Sequence, residues 1–173
     1  SRTATAALER AVSQGAELAE AVAAASAAVW QAARQRDSDM GTTLAALRVT
    51  EGEGQAAWLG DSRIYRFRDG DLHQLSRDHS RVQELVEAGL VHPDRARDHP
   101  ERPVLTAAAG LEPDAWPEAT PVNPLPGDIF LLCSDGLSDV VDEAEMAAVM
   151  ANTPVAETPA ALTRTALERR QPY

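Results

Sequence analysis

An α+β domain, in which helices cover antiparallel sheet, is the fold class that the sequence predicts. Three observations lead to it. The first 39 residues have a helical pattern, with an alanine-rich tract over 16–36. Residues 42–75 then change to short strand-like runs, and the last thirty residues are helical again. Helices at both ends of a strand-rich body indicate an α+β fold.

The strand-like region indicates antiparallel pairing. Asp69-Gly70 is a strong signal for a tight hairpin, because glycine tolerates the positive φ that a two-residue loop needs. We therefore expect one antiparallel meander of four strands: 42–49, 55–59, 63–67 and 72–75. Gly15 is expected to divide the helical start into two helices.

The second half of the chain begins with irregular segments. Residues 76–102 are polar and contain one short helical pattern, which indicates an excursion from the sheet. Five prolines between residues 112 and 126 exclude a helix there. The apolar run 128–133 is then predicted to be a buried central strand.

Composition limits the classes of function. The 173 residues fit one domain, and a formal charge of −11 argues against a nucleic-acid partner. A single cysteine, Cys133, cannot form an internal disulfide and favours the reducing cytoplasm. No apolar stretch is long enough to span a bilayer. The chain starts at Ser1 rather than methionine, so we expect it to begin inside a longer protein.

Two acidic clusters carry the chemistry, and each follows a predicted strand. They are Gly60-Asp61-Ser62-Arg63 and the run 134–139, Ser-Asp-Gly-Leu-Ser-Asp. If a helix begins after the second strand, Asp135 and Asp139 lie one turn apart and approach the same region. Carboxylates without histidine or cysteine suit Mg²⁺ or Mn²⁺ rather than zinc. The alternative is that these aspartates only form turns or cap helices.

Other reactive side chains have simpler interpretations. Cys133 lies in an apolar run and has no arginine six residues later, so it is expected to be inert core. The histidines of the polar segment, His79, His92 and His99, are expected to be solvated. Arg63 could approach phosphate, but a structural ion pair is the favoured use. We assign no side chain of this chain as a catalytic group.

The order of four motifs is similar to that of bacterial type 2C (PPM-type) metal-dependent protein serine/threonine phosphatases. The motifs are Met40-Gly41-Thr42-Thr43, Gly60-Asp61-Ser62-Arg63, Asp78-His79-Ser80 leading to His99-Pro100, and the run 134–139. The resemblance covers nearly the whole chain. It implies a four-layer α-β-β-α sandwich of two antiparallel sheets with a metal cluster between them. It also implies that a metal-activated water hydrolyses phosphoserine or phosphothreonine on proteins.

The resemblance implies roles for particular residues. Asp135 corresponds to a ligand of a two-metal centre, and Asp61 and Asp139 correspond to ligands of a third, weaker ion, so two or three Mg²⁺ or Mn²⁺ ions are expected. Residues 77–103 correspond to a flap that controls substrate access, with Ser80 in it. Phosphorylated proteins are the implied substrates, and serine/threonine kinases are the implied antagonists.

The same resemblance implies that residues 1–173 form a single but partial phosphatase domain. The family's phosphate-binding arginine and its other metal-ligand motifs have no counterpart in the chain. We therefore expect little phosphatase activity from the 173 residues, and Mn²⁺- or Mg²⁺-dependent activity from a chain extended at both ends, assayed on a phosphothreonine peptide.

Two other functions remain open on the sequence. A non-catalytic type 2C-like module that binds a partner or senses metal would share the four motifs but lack the remaining metal ligands. A sugar-phosphate or nucleotide phosphatase would share the metal chemistry, but no motif in the chain resembles those families.

Overall fold

The structure is a computed structural model that describes residues 2–38 and 40–169. Its elements, in chain order, are α1 Arg2–Ser13, α2 Leu18–Gln35, β1 Leu44–Thr50, β2 Glu53–Leu59, β3 Arg63–Arg68, β4 Asp71–Gln74, α3 Arg81–Glu87, α4 Pro93–Ala96, β5 Glu118–Val122, β6 Ile129–Cys133, α5 Asp135–Ser138, α6 Glu143–Asn152 and α7 Thr158–Arg169.

The six strands of the described residues form two antiparallel sheets of three strands each. The first sheet has the order β1-β2-β5, and the second has the order β4-β3-β6. Helices α1 and α2 cover the first sheet, while α6 and α7 cover the second. The predicted four-layer α-β-β-α sandwich is therefore confirmed, and so is the α+β class.

Three apolar layers hold the sandwich together. Leu18 and Val22 of α2 pack on Ala57 and Leu59 of β2. Between the sheets, the buried residues are Ala56, Trp58, Ile64 and Val122. Beneath the second sheet, they are Tyr65, Val141, Met146, Leu162 and Ala166. Because successive strand side chains point to opposite faces, β2 is apolar on both faces and lies in the centre of the domain.

The prediction of one four-stranded meander is wrong. β1 pairs with β2 and β3 pairs with β4, but β2 and β3 belong to different sheets. The chain changes sheet at Gly60, whose φ of +113° is accessible to glycine but strained for other residues. This crossing puts Ile64 of β3 opposite the inner face of β2, which buries both strands. Local periodicity does not encode such a change of sheet.

The predictions for the strands after residue 112 are partly wrong. The proline-rich segment contains no helix, as predicted, but it does contain β5, with Pro121 at the edge of the first sheet. Proline is tolerated at an edge because its missing N–H faces no partner strand. β6 is also an edge strand among the described residues, not a central one, and its Leu132 is 41% exposed.

Two local predictions are confirmed. Asp69 and Gly70 both have positive φ, 53° and 92°, and join β3 to β4 as a two-residue hairpin. Gly15, with φ of +86°, separates α1 from α2.

Candidate metal centre

An acidic cavity of about 1060 Å³ opens where the ends of β2 and β6 meet the segment 78–105. Eight carboxylates line it: Asp61, Asp78, Asp94, Asp98, Asp135, Asp139, Asp142 and Glu143. Three arginines line it as well: Arg63, Arg97 and Arg102. All three aspartates that the sequence analysis assigned to metal therefore reach one cavity.

The two sheets bring these aspartates together. Asp61 follows β2 directly after the Gly60 crossing, and Asp135 follows β6 as the first residue of α5. Asp139 ends α5 one turn later, and its N–H donates to the Asp135 carbonyl at 2.9 Å. Since β2 and β6 lie in different sheets, the cavity spans the gap between the two layers.

The charges in the cavity act on Asp61. Its pKa is raised above the ordinary value, first by burial and then by the negative charges of Asp135 and Asp78, with a smaller contribution from Asp139. Mutually repelling carboxylates around one cavity are the donor chemistry that a hard divalent cation neutralises. The residues present therefore fit Mg²⁺ or Mn²⁺.

The donors of the described chain do not complete a site by themselves. Within residues 2–38 and 40–169, no three histidine, cysteine, aspartate or glutamate side chains are arranged closely enough to hold a metal ion. Asp135 is exposed, and its Oδ1 accepts a hydrogen bond from the N–H of Gly136 at 2.7 Å. The metal roles of Asp61, Asp135 and Asp139 stay predictions.

Asp139 is held by the arginines of the preceding segment. Its carboxylate forms an ion pair with Arg102, and its main-chain carbonyl accepts hydrogen bonds from Arg97 at 2.8 and 3.1 Å. These contacts join residues 97–102 to the end of α5. Neither arginine was singled out from the sequence, because the contacts cross about forty residues of chain.

Arg63 forms the structural ion pair that was favoured for it. Its guanidinium donates to both carboxylate oxygens of Asp78, at 2.7 to 3.1 Å, and to the Tyr65 hydroxyl at 3.0 Å. Both charged side chains are mostly buried, at 20% and 13% exposure. Asp78 was not predicted to be this partner, although it belongs to one of the quoted motifs.

The turn that carries Asp61 is fixed from two sides. The hydroxyls of Thr43 and Ser62 lie 2.8 Å apart in a hydrogen bond. On the other side, the Gly60 N–H donates to Nδ1 of His79 at 3.2 Å. The prediction of a solvated His79 is wrong: its side chain is only 7% exposed, because residues 77–80 pack against the end of β2. His92 and His99 are hydrogen-bonded within the exposed segment.

The predicted flap, residues 77–103, divides into an anchored and an exposed part. Residues 77–80 are fixed, with His79 and Ser80 buried, whereas most residues from 87 to 103 are exposed. The two ends of the segment 81–104 meet where the Arg81 N–H donates to the Val104 carbonyl at 2.8 Å. Ser80 lines the cavity, and its hydroxyl caps α3 by accepting from the Gln83 N–H. A role of this segment in substrate access stays a prediction.

Cys133 has the inert environment expected for it. Burial raises the pKa of its thiol to about 11, so it remains protonated at neutral pH.

Replacing Asp61 by asparagine is expected to raise the melting temperature of the metal-free protein at pH 7. The folded-state pKa of this acid is raised, so the native state binds the proton more tightly and stability falls as pH rises above the ordinary value of 3.8. Asparagine cannot ionise and so removes this loss of stability. The difference in melting temperature between the variant and the wild type should therefore vanish below pH 3.8. Thermal unfolding with a chelator across pH 3 to 8 measures it. Equal melting temperatures at pH 7 would contradict the expectation, and Asp71→Asn on exposed β4 is the control.

Comparisons with known proteins identify the family. The family model described as protein phosphatase 2C matches residues 1–169, and the chain belongs to that family. Over 126 residues, the chain is 36% identical to protein phosphatase PhpP of Streptococcus pneumoniae, covering 72% of this chain and 51% of PhpP. The chain thus spans about half the length of this curated relative.

Solved structures agree with the family and the fold. The PPM Ser-Thr phosphatase MsPP from Mycobacterium smegmatis, in complex with cacodylate, superposes with a TM-score of 0.89 at 32% identity, over 98% of this chain and 75% of MsPP. The catalytic domain of the phosphatase PstP, in complex with two manganese ions, has a TM-score of 0.82 at 30% identity, over 96% of this chain and 75% of that catalytic-domain chain.

Proposed function

We propose that the protein carrying this chain hydrolyses phosphoserine and phosphothreonine on proteins, using Mg²⁺ or Mn²⁺ held at the acidic cavity, and so opposes serine/threonine kinases. The observation that carries the proposal is the convergence of Asp61, Asp135 and Asp139, from two different sheets, on one cavity of a protein phosphatase 2C family member. The manganese ions bound to PstP support the choice of metal.

Asp135, Asp61 and Asp139 are the residues of this chain that would hold the two or three ions. When bound, the ions would supply a water of lowered pKa and neutralise charge on the phosphoryl oxygens. The carboxylates contribute negative charge and hard oxygen donors. Asp61 and Asp135 follow β2 and β6, and Asp139 follows one helical turn after Asp135, so the two sheets position the backbone that carries these carboxylates.

The segment from Arg81 to Pro103 forms one wall of the cavity and contributes two acids to it, Asp94 and Asp98, as well as two arginines. Arg97 and Arg102 line the cavity there, on a protein whose net charge of −11 would otherwise repel a phosphoprotein. Local arginines reduce that repulsion where the substrate must approach. We propose that Ser80 supports this wall by capping α3 rather than by contacting phosphate.

The cytoplasm is the proposed location. The single cysteine, with its protonated thiol, is compatible with a reducing compartment. Among the residues that the structure describes, no helix is both long and apolar enough to cross a bilayer.

A phosphopeptide assay on the full-length protein tests the function. We expect release of inorganic phosphate from a phosphothreonine peptide that requires added Mn²⁺ or Mg²⁺ and stops when a chelator is added. An unphosphorylated peptide and a sugar phosphate are the controls. Absence of turnover with every metal tried would favour the non-catalytic partner-binding module, and faster turnover of the sugar phosphate would contradict the protein substrate.

A further inference from the structure

We infer that His79 is a positioning residue that fixes the direction of the Asp61 carboxylate, an inference that rests on the proposed metal site. His79 does not line the cavity and touches no expected ligand. It acts through Gly60, the residue before Asp61, to which it is hydrogen-bonded twice.

The two hydrogen bonds form a closed pair. The Gly60 N–H donates to Nδ1 of His79 at 3.2 Å, and the His79 N–H donates to the Gly60 carbonyl at 3.0 Å. Both polar groups of Gly60 are therefore satisfied by one residue, 19 positions later in the chain. The pair is buried, so water does not compete for it.

The acceptor role of Nδ1 leaves the ring proton on Nε2. Nε2 lies 3.3 Å from Oε1 of Glu118, to which Arg77 also donates at 3.1 Å. A further hydrogen bond holds the same segment, since Nε1 of Trp58 donates to the Arg77 carbonyl at 2.7 Å. The imidazole is thus fixed between the end of β2 and the start of β5.

Gly60 needs such support because it is the flexible point before the ligand. Its φ of +113° is one that only glycine adopts without strain, and glycine has no side chain to hold it there. Thr43 fixes the turn beyond Asp61 through its hydrogen bond to Ser62 at 2.8 Å. His79 thus holds the backbone of the residue before Asp61, and Thr43 holds the side chain of the residue after it. Metal ligands need positions accurate to about 0.5 Å.

Two amide variants of the full-length protein separate the acceptor at Nδ1 from the rest of the side chain. In His79→Asn, the amide oxygen can take the position of Nδ1 and accept from Gly60. In His79→Gln, the amide extends to the position of Nε2 near Glu118 and leaves the Gly60 N–H without its acceptor. Mn²⁺ affinity is measured by electron paramagnetic resonance, below the onset of thermal unfolding, and Asp61→Asn defines loss of the site.

We expect His79→Gln to weaken Mn²⁺ binding at the Asp61-dependent site about tenfold, because removal of a group that supports a metal ligand has an effect of this size. The Mn²⁺ affinity of His79→Asn should stay within about twofold of wild type. Ser76→Ala is the matched control, because Ser76 Oγ accepts from the buried Ile64 N–H at 2.9 Å away from the cavity. It should lower the melting temperature without changing Mn²⁺ affinity.

Three results would overturn the inference: wild-type Mn²⁺ affinity in His79→Gln, equal losses in both His79 variants, or a loss in Ser76→Ala as large as in His79→Gln. Failure of the proposed function is distinguishable from these. If the protein lacks phosphatase activity but binds Mn²⁺ in an Asp61-dependent way, the His79 inference can still be supported. If Asp61→Asn leaves Mn²⁺ binding unchanged, both the metal site and the inference fail.

Discussion

The Asp135→Asn variant of the full-length protein is expected to lose metal-dependent phosphatase activity by about a hundredfold or more, with no loss of metal-free stability. Asp135 is the residue of this chain that the family resemblance assigns to the two-metal centre. Charge neutralisation by such metals contributes several kcal/mol to the transition state, and about 1.4 kcal/mol corresponds to a factor of ten in rate. An amide binds a hard cation more weakly than a carboxylate does because it carries no net charge.

The fold should tolerate this substitution because Asp135 is exposed and makes one local contact. Its Oδ1 accepts from the Gly136 N–H, and the amide oxygen of asparagine can do the same. The measurement is initial rate against a phosphothreonine peptide at saturating Mn²⁺, with circular dichroism melting in parallel. Asp71→Asn, on the exposed face of β4, is the matched control. More than half of wild-type activity in Asp135→Asn would contradict its metal role.

The Gly60→Ala variant is expected to lower the free energy of unfolding by about 3 kcal/mol. Two penalties add: a non-glycine residue at this φ costs about 1 to 3 kcal/mol, and overpacking costs a similar amount. The added Cβ would lie 2.4 Å from Cγ2 and 2.7 Å from Cβ of Thr43, so either the turn or the start of the first sheet must shift. The same shift would move Asp61, so Mn²⁺ affinity should fall as well.

Gly52→Ala separates the two penalties. Gly52 also has a positive φ, +80°, but a Cβ there meets no atom within 4 Å, so only the backbone strain of about 1 kcal/mol applies. Adding Thr43→Ser to Gly60→Ala removes Cγ2, the atom closest to the new Cβ, and keeps the hydroxyl that is hydrogen-bonded to Ser62. The double variant should therefore recover part of the lost free energy of unfolding. Urea denaturation measures the free energy of unfolding of all three variants. Equal losses for Gly60→Ala and Gly52→Ala would show that the contact with Thr43 has no effect.

The candidate site could be predicted from the sequence because the aspartates proposed as its ligands follow strands in recognisable motifs. Asp61 and Asp135 each follow an apolar strand, and both line the cavity. The residues that hold the site in place were not found. Asp78, Arg102 and His79 act across 15 to 37 residues of chain, through contacts that arise only when the two sheets stack. A polar residue in a loop has the same local pattern whether it becomes buried or solvated.

The sequence by itself determined the local features of this protein: the Asp69-Gly70 hairpin, the helix break at Gly15, the helices at both ends and the four motifs in family order. These depend on backbone preferences and side-chain periodicity, which act over a few residues. Only the tertiary structure decided which strands share a sheet. β2 separates from β3 at Gly60, and the proline-containing β5 pairs with β2 instead, because burying the apolar residues on both faces of β2 requires partners from distant parts of the chain.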